Sequence, residues 1–373
     1  MKILFSCLSK SWGGMEMVTI NTIKALLDKG ITVELICAVE SRIHIEANDF
    51  GMIIHPIKAP GYFHPFTTIR TASIIKNGSY NLIHTHASKD LWLLVPALKL
   101  IRNSTPLLLT KHIGSFIAKR DIIHTWLYRR VNYVIAISNV IRQNLLETTR
   151  LDKDKIRLHY NGVDCKKFDP AKYNGTSIRK EFKINDSDLL IGMVARFSSG
   201  KGHEEFISSA KKLNEKYSNL IFIIVGEASR GEGSYESQIK KLANDNARQN
   251  IIFTGFRDDI PDVIAAMDIF IMPSHAEAFG VALVEAMAMG KPSVCSNSDG
   301  ILDIAVDGKT GYLFENKNSE DLKNKIELLI KSPDKRKAFG KEARKRVMEH
   351  FDFDKLINGL VDIYLEIINQ YSN

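Results

Sequence analysis

The chain of 373 residues lacks the features of several protein classes. Its four cysteines stand apart, without the short paired spacing of a zinc knuckle or a disulfide framework. Its longest uncharged apolar runs, such as 91–98 and 220–225, fall far short of the ~18 residues that a membrane-spanning helix needs. The first apolar run is too short for a signal peptide and is typical of a buried strand. We therefore expect a cytoplasmic protein that is not integral to a membrane.

Several short motifs that carry chemistry are also absent from the sequence. It contains no Gly-x-Ser-x-Gly nucleophile elbow and no Gly-x-x-x-x-Gly-Lys-Ser/Thr phosphate loop. None of the compact DNA- or RNA-binding motifs occurs either. These absences argue against an α/β-type serine hydrolase, a P-loop nucleotide hydrolase and a nucleic-acid-binding protein.

The net charge of +8 is concentrated in the first half of the chain. Residues 1–164 hold 21 Lys and Arg against 12 Asp and Glu, whereas the remainder holds 30 against 31. Between 111 and 130, basic residues alternate with aromatic and aliphatic ones, a mixture suited to the surface of an anionic bilayer. The pattern fits a solvated helix beside a sheet equally well. Peripheral contact with the inner face of the cytoplasmic membrane is thus one of two open interpretations.

Strand-like and helix-like segments alternate along most of the chain, which is too long for one ordinary core. Strands are predicted in the first half at 2–9, 31–38, 52–58, 81–86, 106–112, 133–138 and 156–162. They are predicted in the second half at 189–196, 220–226, 251–255, 269–274, 292–296 and 311–314. Such alternation indicates parallel sheets with helices on both faces. We predict an α/β protein with two doubly wound Rossmann-like lobes.

The lobe boundaries follow from the turn-forming residues. Between 165 and 188 the sequence is polar and rich in Asp-Pro, Asn-Gly and Asn-Asp pairs, which break regular structure. We predict a first lobe at 1–164, a linker at 165–188 and a second lobe at 189–351. Past Ser319 the pattern is helical to the end.

In each lobe, one candidate ligand loop follows the first strand, at the end of the sheet where parallel sheets bind ligands. Gly13 and Gly14 would let backbone N–H groups approach a phosphate or sugar, although adjacent glycines also serve plain turns. In the second lobe, Arg196 and Lys201 flank a glycine-containing turn. Two cations at a strand end could clamp a diphosphate. The alternative is a pair of solvated loop charges.

The segment 273–290 is the most informative part of the sequence. Glu277 lies in an acidic loop after a strand, and Glu285 interrupts an otherwise apolar helix. A carboxylate on such a helix costs several kcal/mol unless it is paired, and ribose hydroxyls would pair it. The N–H groups at the helix start, near Phe279, Gly280 and Val281, would favour phosphates.

Taken together, these segments resemble family 4 of the retaining glycosyltransferases, the glycosyl transferases of group 1, which have the two-lobed GT-B fold. The resemblance extends over nearly the whole chain, and its most specific part is the pair of glutamates with seven residues between them. The residues that carry it are Gly13-Gly14-Met15-Glu16, Asn161-Gly162-Val163-Asp164, Arg196, Lys201, Glu285 and the context His275-x-Glu277-x-Phe279-Gly280.

The resemblance implies a role for each matched residue. Arg196 and Lys201 would bind the diphosphate, Glu277 the donor sugar and Glu285 the ribose. His112, at the end of a first-lobe strand, would face the transferred sugar. The implied catalytic residues are therefore His112, Arg196, Lys201 and Glu277.

No metal site is expected. His84 and His86 point to the same face of a strand, yet no further ligand is close in sequence, so packing or lining of the cleft is the preferred interpretation. Asp-x-Asp pairs, a spacing that metal-dependent sugar transferases use, lie in turns and are interpreted as solvated surface. These pairs are Asp152/Asp154, Asp186/Asp188 and Asp352/Asp354.

The resemblance leads to a specific expectation of function. We predict a retaining, metal-independent transferase that moves a hexose-type sugar from a UDP- or GDP-sugar to a glycan or lipid-linked acceptor, without a cofactor. Bacterial surface polysaccharide or lipopolysaccharide biosynthesis is the expected context. The last helix, about 352–373, is expected to cross back onto the first lobe. A non-hydrolysing nucleotide-sugar epimerase and a non-catalytic sugar-binding subunit stay open as alternatives.

Overall fold

The chain forms two compact units in a computed structural model that describes residues 1–59, 61–228, 231–244 and 250–371. The first unit comprises Met1–Asn161 and the C-terminal segment that begins at Asp354, and the second comprises Gly162–Phe353. The predicted architecture of two Rossmann-like units is confirmed, because each unit is built around its own parallel sheet.

The first unit contains a seven-stranded sheet in the order β3-β2-β1-β4-β5-β6-β7, with every neighbouring pair parallel. Its strands are β1 Lys2–Cys7, β2 Thr32–Ala38, β3 Ile54–Ile57, β4 Leu82–Thr85, β5 Leu107–Lys111, β6 Tyr133–Ala136 and β7 Ile156–Leu158. Its helices are α1 Gly14–Asp28, α2 Arg42–Asn48, α3 Pro65–Gly78, α4 Leu91–Leu100, α5 Ile122–Arg130, α6 Asn139–Thr148 and the last helix, α15 Phe353–Tyr371. The central strands are buried on both faces, which explains their continuous apolar sequence.

The second unit contains a six-stranded parallel sheet in the order β10-β9-β8-β11-β12-β13. Its strands are β8 Leu189–Val194, β9 Leu220–Val225, β10 Ile251–Phe253, β11 Ile269–Met272, β12 Ser293–Ser296 and β13 Gly311–Phe314. Its helices are α7 Thr176–Glu181, α8 His203–Lys216, α9 Gly233–Asn244, α10 Ile260–Ala266, α11 Val281–Ala288, α12 Ile301–Ile304, α13 Ser319–Ile330 and α14 Pro333–His350.

Each sheet has one point at which the strand order reverses direction. In the first unit this switch point lies between β1 and β4, and in the second between β8 and β11. Loops at the carboxyl ends of such strands diverge and leave a crevice, where open α/β sheets bind their ligands. The topology therefore directs the search for a site to the loops after these four strands.

Helix α15 packs on the first unit, as the family resemblance implied. Its buried Tyr364 places its hydroxyl 2.6 Å from Nδ1 of His84, which lies on β4. Arg157 on β7 forms an ion pair with Glu366. The end of the chain thus completes the first unit.

Residues 165–188, which we predicted as a linker, form part of the second unit instead. Arg179 on α7 donates hydrogen bonds to Asp268 at 2.7 Å and to the carbonyl of Ala266 at 3.1 Å. A Cβ on Gly175, at φ +68°, would lie 2.3 Å from the backbone of Ala266, so this approach requires glycine. Turn-forming residues mark where regular structure stops, but they carry no information about whether the turn is packed.

Candidate functional site

Two loops meet at the switch point of the second unit. One follows β8 and the other follows β11, and the backbone N–H of His275 donates to the carbonyl of Gly200 at 2.8 Å. A Cβ on Gly202, at φ +79°, would lie 2.1 Å from the carbonyl oxygen of Pro273. The glycines of the loop after β8 thus permit direct contact with the loop after β11. The predicted site residues on these two loops therefore lie at the same end of the sheet.

Lys201 and Glu277 form an ion pair across these two loops. The ammonium nitrogen of Lys201 lies 2.7 Å from Oε2 of Glu277, and the side chains are 25% and 18% exposed. The ion pair holds both side chains at the switch point, and both charged groups stay partly accessible to solvent. A ligand that carries both a phosphate and hydroxyl groups could engage the cation and the carboxylate together.

The loop that bears Glu277 is supported by the loop after β12. The backbone N–H of Gly300 donates to the carbonyl of Glu277 at 2.9 Å. A Cβ on Gly300 would lie 2.4 Å from the carbonyl oxygen of Ala278, so the close packing needs glycine here. The hydroxyls of Ser296 and Ser298 donate to the carbonyl of Ser274. These supporting residues were not predicted, although they lie at or just after the end of the predicted strand 292–296.

A second set of contacts fixes His275, two residues before Glu277. Its Nε2 lies 2.8 Å from Oε1 of Glu205 in the first turn of α8. The side-chain amide of Asn316 donates to the carbonyl of His275 at 2.7 Å. Glu205 and Asn316 were not predicted as site residues, because nothing in their local sequence distinguishes them from ordinary surface residues.

The start of α11 lies directly after this loop. Gly280 precedes the helix with φ +108°, a left-handed conformation that favours glycine, and Val281 is the first helical residue. The Phe279 ring is buried and packs against Phe351 at a centroid distance of 5.8 Å. The ring of Phe279 is thus held in the interior of the unit, and the positive end of the helix dipole at the start of α11 favours an anion.

Glu285 lies one turn into α11 and is partly buried. Desolvation raises its pKa to about 7, and the charge of Lys167 opposes this shift. Within the described ranges, neither a hydrogen bond nor an ion pair from the protein satisfies the carboxylate. An acid kept in such a place without a protein partner is a candidate to bind a ligand's hydroxyl groups.

Arg196 also lies in the loop after β8, two residues past the end of the strand, and is exposed. The next residue, Phe197, is buried and donates its backbone N–H to the carbonyl of Glu227 at 3.1 Å. This anchoring places Arg196 on the loop that also carries Lys201.

The first unit presents a different set of side chains at its own switch point. Gly13 precedes α1, which begins at Gly14, directly after the loop that follows β1. Asp90, which follows β4, is buried and accepts hydrogen bonds from the hydroxyl of Ser6 at 2.7 Å and from the backbone N–H of Leu8 at 3.1 Å. Burial raises the pKa of Asp90 to about 6.

His112 directly follows β5 in the first unit and is buried. Its Nε2 lies 2.9 Å from Nδ1 of His86, which follows β4. Burial lowers the pKa of His112 to about 3, and the neighbouring charge of Lys111 adds to this effect. The implied role of His112 beside the transferred sugar stays a prediction.

The two histidines near β4, His84 on the strand and His86 directly after it, both contact other protein groups. His84 contacts Tyr364 and the hydroxyl of Thr110, with its Nε2 2.7 Å from that oxygen. Across the portion of the chain that the structure describes, no group of three or more His, Cys, Asp or Glu side chains is arranged to hold a metal ion.

None of the described helices has the length and apolarity needed to cross a membrane.

The two units with their switch-point residues define a GT-B type glycosyltransferase, and comparison with known proteins agrees. Residues 12–167 match the family model for Glycosyltransferase Family 4, and residues 175–346 match the model for Glycosyl transferases group 1. The chain belongs to glycosyltransferase family 4.

Individual relatives and solved structures are similar over most of the chain. The UDP-Gal:alpha-D-GlcNAc-diphosphoundecaprenol alpha-1,3-galactosyltransferase of Escherichia coli is 25% identical over 308 residues, which are 79% of this chain and 78% of that protein. With three other curated relatives, the aligned part spans 60 or 61% of the relative's length. A crystal structure of a Rickettsia africae glycosyltransferase has a TM-score of 0.89 and 27% identity over 98% of each chain. Anabaena HepE, crystallised with UDP-glucose, has a TM-score of 0.82 at 22% identity, over 98% of this chain and 99% of that one.

Proposed function

We propose that the protein is a retaining, metal-independent glycosyltransferase that moves a hexose-type sugar from a nucleotide diphosphate sugar to a glycan or lipid-linked acceptor. The observation that supports this most directly is the contact between Lys201 and Glu277 at the switch point of the second unit. It brings one cation for a diphosphate and one carboxylate for sugar hydroxyls to one place. The start of α11 follows Glu277 within four residues, and Glu285, whose carboxylate has no protein partner among the described residues, lies one turn further along that helix.

The reaction breaks the bond between the anomeric carbon and the oxygen of the diphosphate, so negative charge builds on the leaving group and positive charge on the sugar ring. Lys201, Arg196 and the N–H groups at the start of α11 would stabilise the departing diphosphate. The acceptor hydroxyl forms the new bond on the same face of the sugar, and its proton passes to an oxygen of the departing phosphate. This sequence of bonds retains the anomeric configuration.

The donor and the acceptor are proposed by class. The Escherichia coli relative is named for a UDP-sugar donor and for an acceptor linked to diphosphoundecaprenol. We propose a UDP- or GDP-sugar as the donor and a lipid-linked glycan as the acceptor, in the assembly of a surface polysaccharide or lipopolysaccharide.

A panel of UDP-, GDP- and ADP-sugars in a thermal-shift assay tests the donor. A ligand at 100 times its Kd adds about 2.7 kcal/mol of stability, so the true donor should stand out from the panel. Transfer is then measured with that donor and a prenyl-diphosphate sugar as acceptor. Consumption of the donor without an acceptor, followed by NMR, would instead identify an epimerase. Binding without release of nucleotide in the presence of any acceptor would favour a non-catalytic subunit.

We also propose that the first unit contacts an anionic membrane surface, where it acts on its acceptor. The loop between β5 and α5 and the start of α5 expose large apolar side chains: Ile113, Phe116, Ile117, Ile122, Ile123 and Trp126. Phe116 is fully exposed, an unusual state for a large apolar side chain, and large exposed patches mark binding surfaces.

Basic groups surround this apolar segment. A cavity of about 470 Å³ beside it is lined by Arg120, Ile122, Trp126, Arg129 and Arg150, among others. Guanidinium groups bind lipid phosphates in two-point contacts, while exposed aromatic and aliphatic side chains insert among the lipid tails. The exposed side chains and the arginines thus suit the two parts of an anionic lipid.

Co-sedimentation with vesicles tests this contact. Wild-type protein should bind vesicles that contain phosphatidylglycerol, and the bound fraction should fall at high salt. Phe116→Ser should weaken binding severalfold. Phe256→Ser, at an exposed Phe of the second unit, is the matched control and should bind as wild type does. Equal losses in both variants, or no binding at low salt, would contradict the proposal.

A further inference from the structure

Two imidazoles stack at the carboxyl edge of the first sheet. His86 follows β4 and His112 follows the neighbouring strand β5, so parallel pairing brings them together. Their ring centroids are 5.1 Å apart with an interplanar angle of 23°, and Nδ1 of His86 lies 2.9 Å from Nε2 of His112. On its other side, His86 stacks on Phe5 at 5.5 Å. Packing therefore leaves His86 little freedom to reorient.

One proton has to lie between these two nitrogens, because a hydrogen bond needs one donor and one acceptor. The remaining nitrogen of His86, Nε2, is buried and has no hydrogen-bond partner in the described part of the chain. A proton there would bury an unsatisfied N–H donor, which protein interiors tolerate less often than an unsatisfied acceptor. The favoured arrangement leaves Nε2 of His86 bare and places its proton on Nδ1.

The protonation of His112 then follows by elimination. If Nδ1 of His86 donates, Nε2 of His112 accepts and carries no proton, so the proton of His112 resides on Nδ1. Burial lowers the pKa of His86 well below its usual value and that of His112 to about 3, so each ring carries a single proton at neutral pH. This placement leaves no proton on the buried Nε2 of His86, which has no acceptor within the described residues.

We propose that His86 is a positioning residue that donates its Nδ1–H to His112 and thereby holds His112 in the Nδ1–H form. The catalytic consequence rests on the proposed function, in which His112 lies beside the transferred sugar. His112 then presents an N–H donor from the side of the ring opposite His86, suited to a hydroxyl oxygen of the sugar. Without His86, the ring could place its proton on Nε2 and present a lone pair instead.

NMR of the full chain labelled with ¹⁵N-histidine tests the proton placement directly. Two-bond correlations between the carbon-bound ring protons and the ring nitrogens distinguish the Nδ1–H form from the Nε2–H form. In the wild type, His112 should show a protonated Nδ1. In His86→Phe, which keeps the ring packing but has no donor, His112 should shift toward the Nε2–H form. A wild-type His112 in the Nε2–H form, or an unchanged His112 in His86→Phe, would overturn the proposal.

Kinetics with the substrates of the proposed reaction give the second readout. Partners that orient an imidazole through its second nitrogen typically contribute about 10- to 100-fold, so His86→Phe should lower kcat by this factor with little change in the KM of the donor. His86→Asn, whose side-chain N–H replaces that of Nδ1, should restore most of kcat. A His86→Asn variant as slow as His86→Phe, with His112 in the Nδ1–H form, would contradict the role in catalysis.

His84→Phe is the matched control. His84 lies two residues earlier, is equally buried, and bonds to Tyr364 and Thr110 rather than to His112. It should lose stability but keep the Nδ1–H form of His112. If His84→Phe changes His112 as much as His86→Phe does, the effect is one of packing and the proposal fails. Should the wild type transfer no sugar, the proposed function fails, whereas the NMR result still decides the proton placement.

Discussion

The two units share one architecture and differ in what they place at the same position in it. The first, with residues 1–161 and 354–373, holds 22 Lys and Arg against 14 Asp and Glu, whereas the second holds 29 against 29. At the carboxyl edge of its sheet, the second unit presents an accessible pair of opposite charges, whereas the first buries the imidazoles of His86 and His112 and the carboxyl group of Asp90. The fold thus fixes where a ligand site lies, and the side chains fix what chemistry the site can perform.

Loss of the Lys201 ammonium is the largest effect that we expect. If the second unit stabilises the leaving group, Lys201→Met should lower kcat by about 10² to 10³, the usual result of removing one preorganised donor. Steady-state transfer assays measure this. Lys212→Met, which removes an exposed ion pair with Glu320 on the same unit, should leave kcat within a factor of about two. Near-normal turnover of Lys201→Met would refute the leaving-group role.

The next largest effect should come from acid, which is expected to lower the stability of the first unit more than that of the second. His84 and His112 have pKa values near 3 when folded, against about 6.5 unfolded, so the unfolded chain binds more protons. Each should cost roughly 2 kcal/mol of stability between pH 7 and pH 5. Burial raises the pKa of Asp90 to about 6, so its protonation over the same pH range stabilises the folded state and offsets about 1 kcal/mol of that loss. The first unit should therefore lose stability as the pH falls.

In the second unit two opposite effects nearly cancel over the same pH range. His203, with its pKa lowered to about 4, should cost roughly 2 kcal/mol, and protonation of Glu285 should return about as much. Hydrogen exchange with mass spectrometry at pH 7 and pH 5, corrected for intrinsic rates, compares peptides from β4 and β5 with peptides from β8 and β11. Equal losses of protection from exchange in both units would contradict the prediction that acid destabilises the first unit more than the second.

Glu285→Gln should stabilise the ligand-free protein. The pKa of Glu285 is raised in the folded state, so its ionisation costs stability that grows from about pH 4.5 to pH 7. Removing the charge should raise the free energy of unfolding by about 3 kcal/mol at pH 8 and by about 1 kcal/mol at pH 5. Urea unfolding at both pH values checks this, and Glu349→Gln, at an exposed site, should change little at either. The same variant should bind the donor more weakly if Glu285 holds the ribose.

The smallest predicted effect concerns the helix that completes the first unit. Tyr364→Phe removes the hydroxyl that contacts His84 and should cost about 1 kcal/mol, the typical net worth of a buried hydrogen bond. Tyr371→Phe, near the exposed end of the same helix, should be neutral. A neutral Tyr364→Phe would mean that apolar packing of α15 suffices to hold it.

Much of the fold was predictable because it depends on local patterns. Continuous apolar runs such as Leu220–Val225 mark strands buried on both faces, and these runs recurred at the spacing of a parallel sheet. The ligand loops were predictable for a related reason, since glycines such as Gly202 and Gly280 adopt backbone conformations that other residues avoid. Residues 165–188 were predicted as a linker, because their turn signals carry no record of the packing of Arg179.

By itself the sequence determined the alternation of strands and helices, the two sheets and the loops that carry Arg196, Lys201 and Glu277. These features depend on neighbours within a few residues, which the sequence displays directly. Only the tertiary structure decided that Lys201 pairs with Glu277, that Gly300 supports the same loop, and that His86 bonds to His112. Such contacts join residues 23 to 76 positions apart or lie between adjacent strands, and they exist only once the strand order has brought them together.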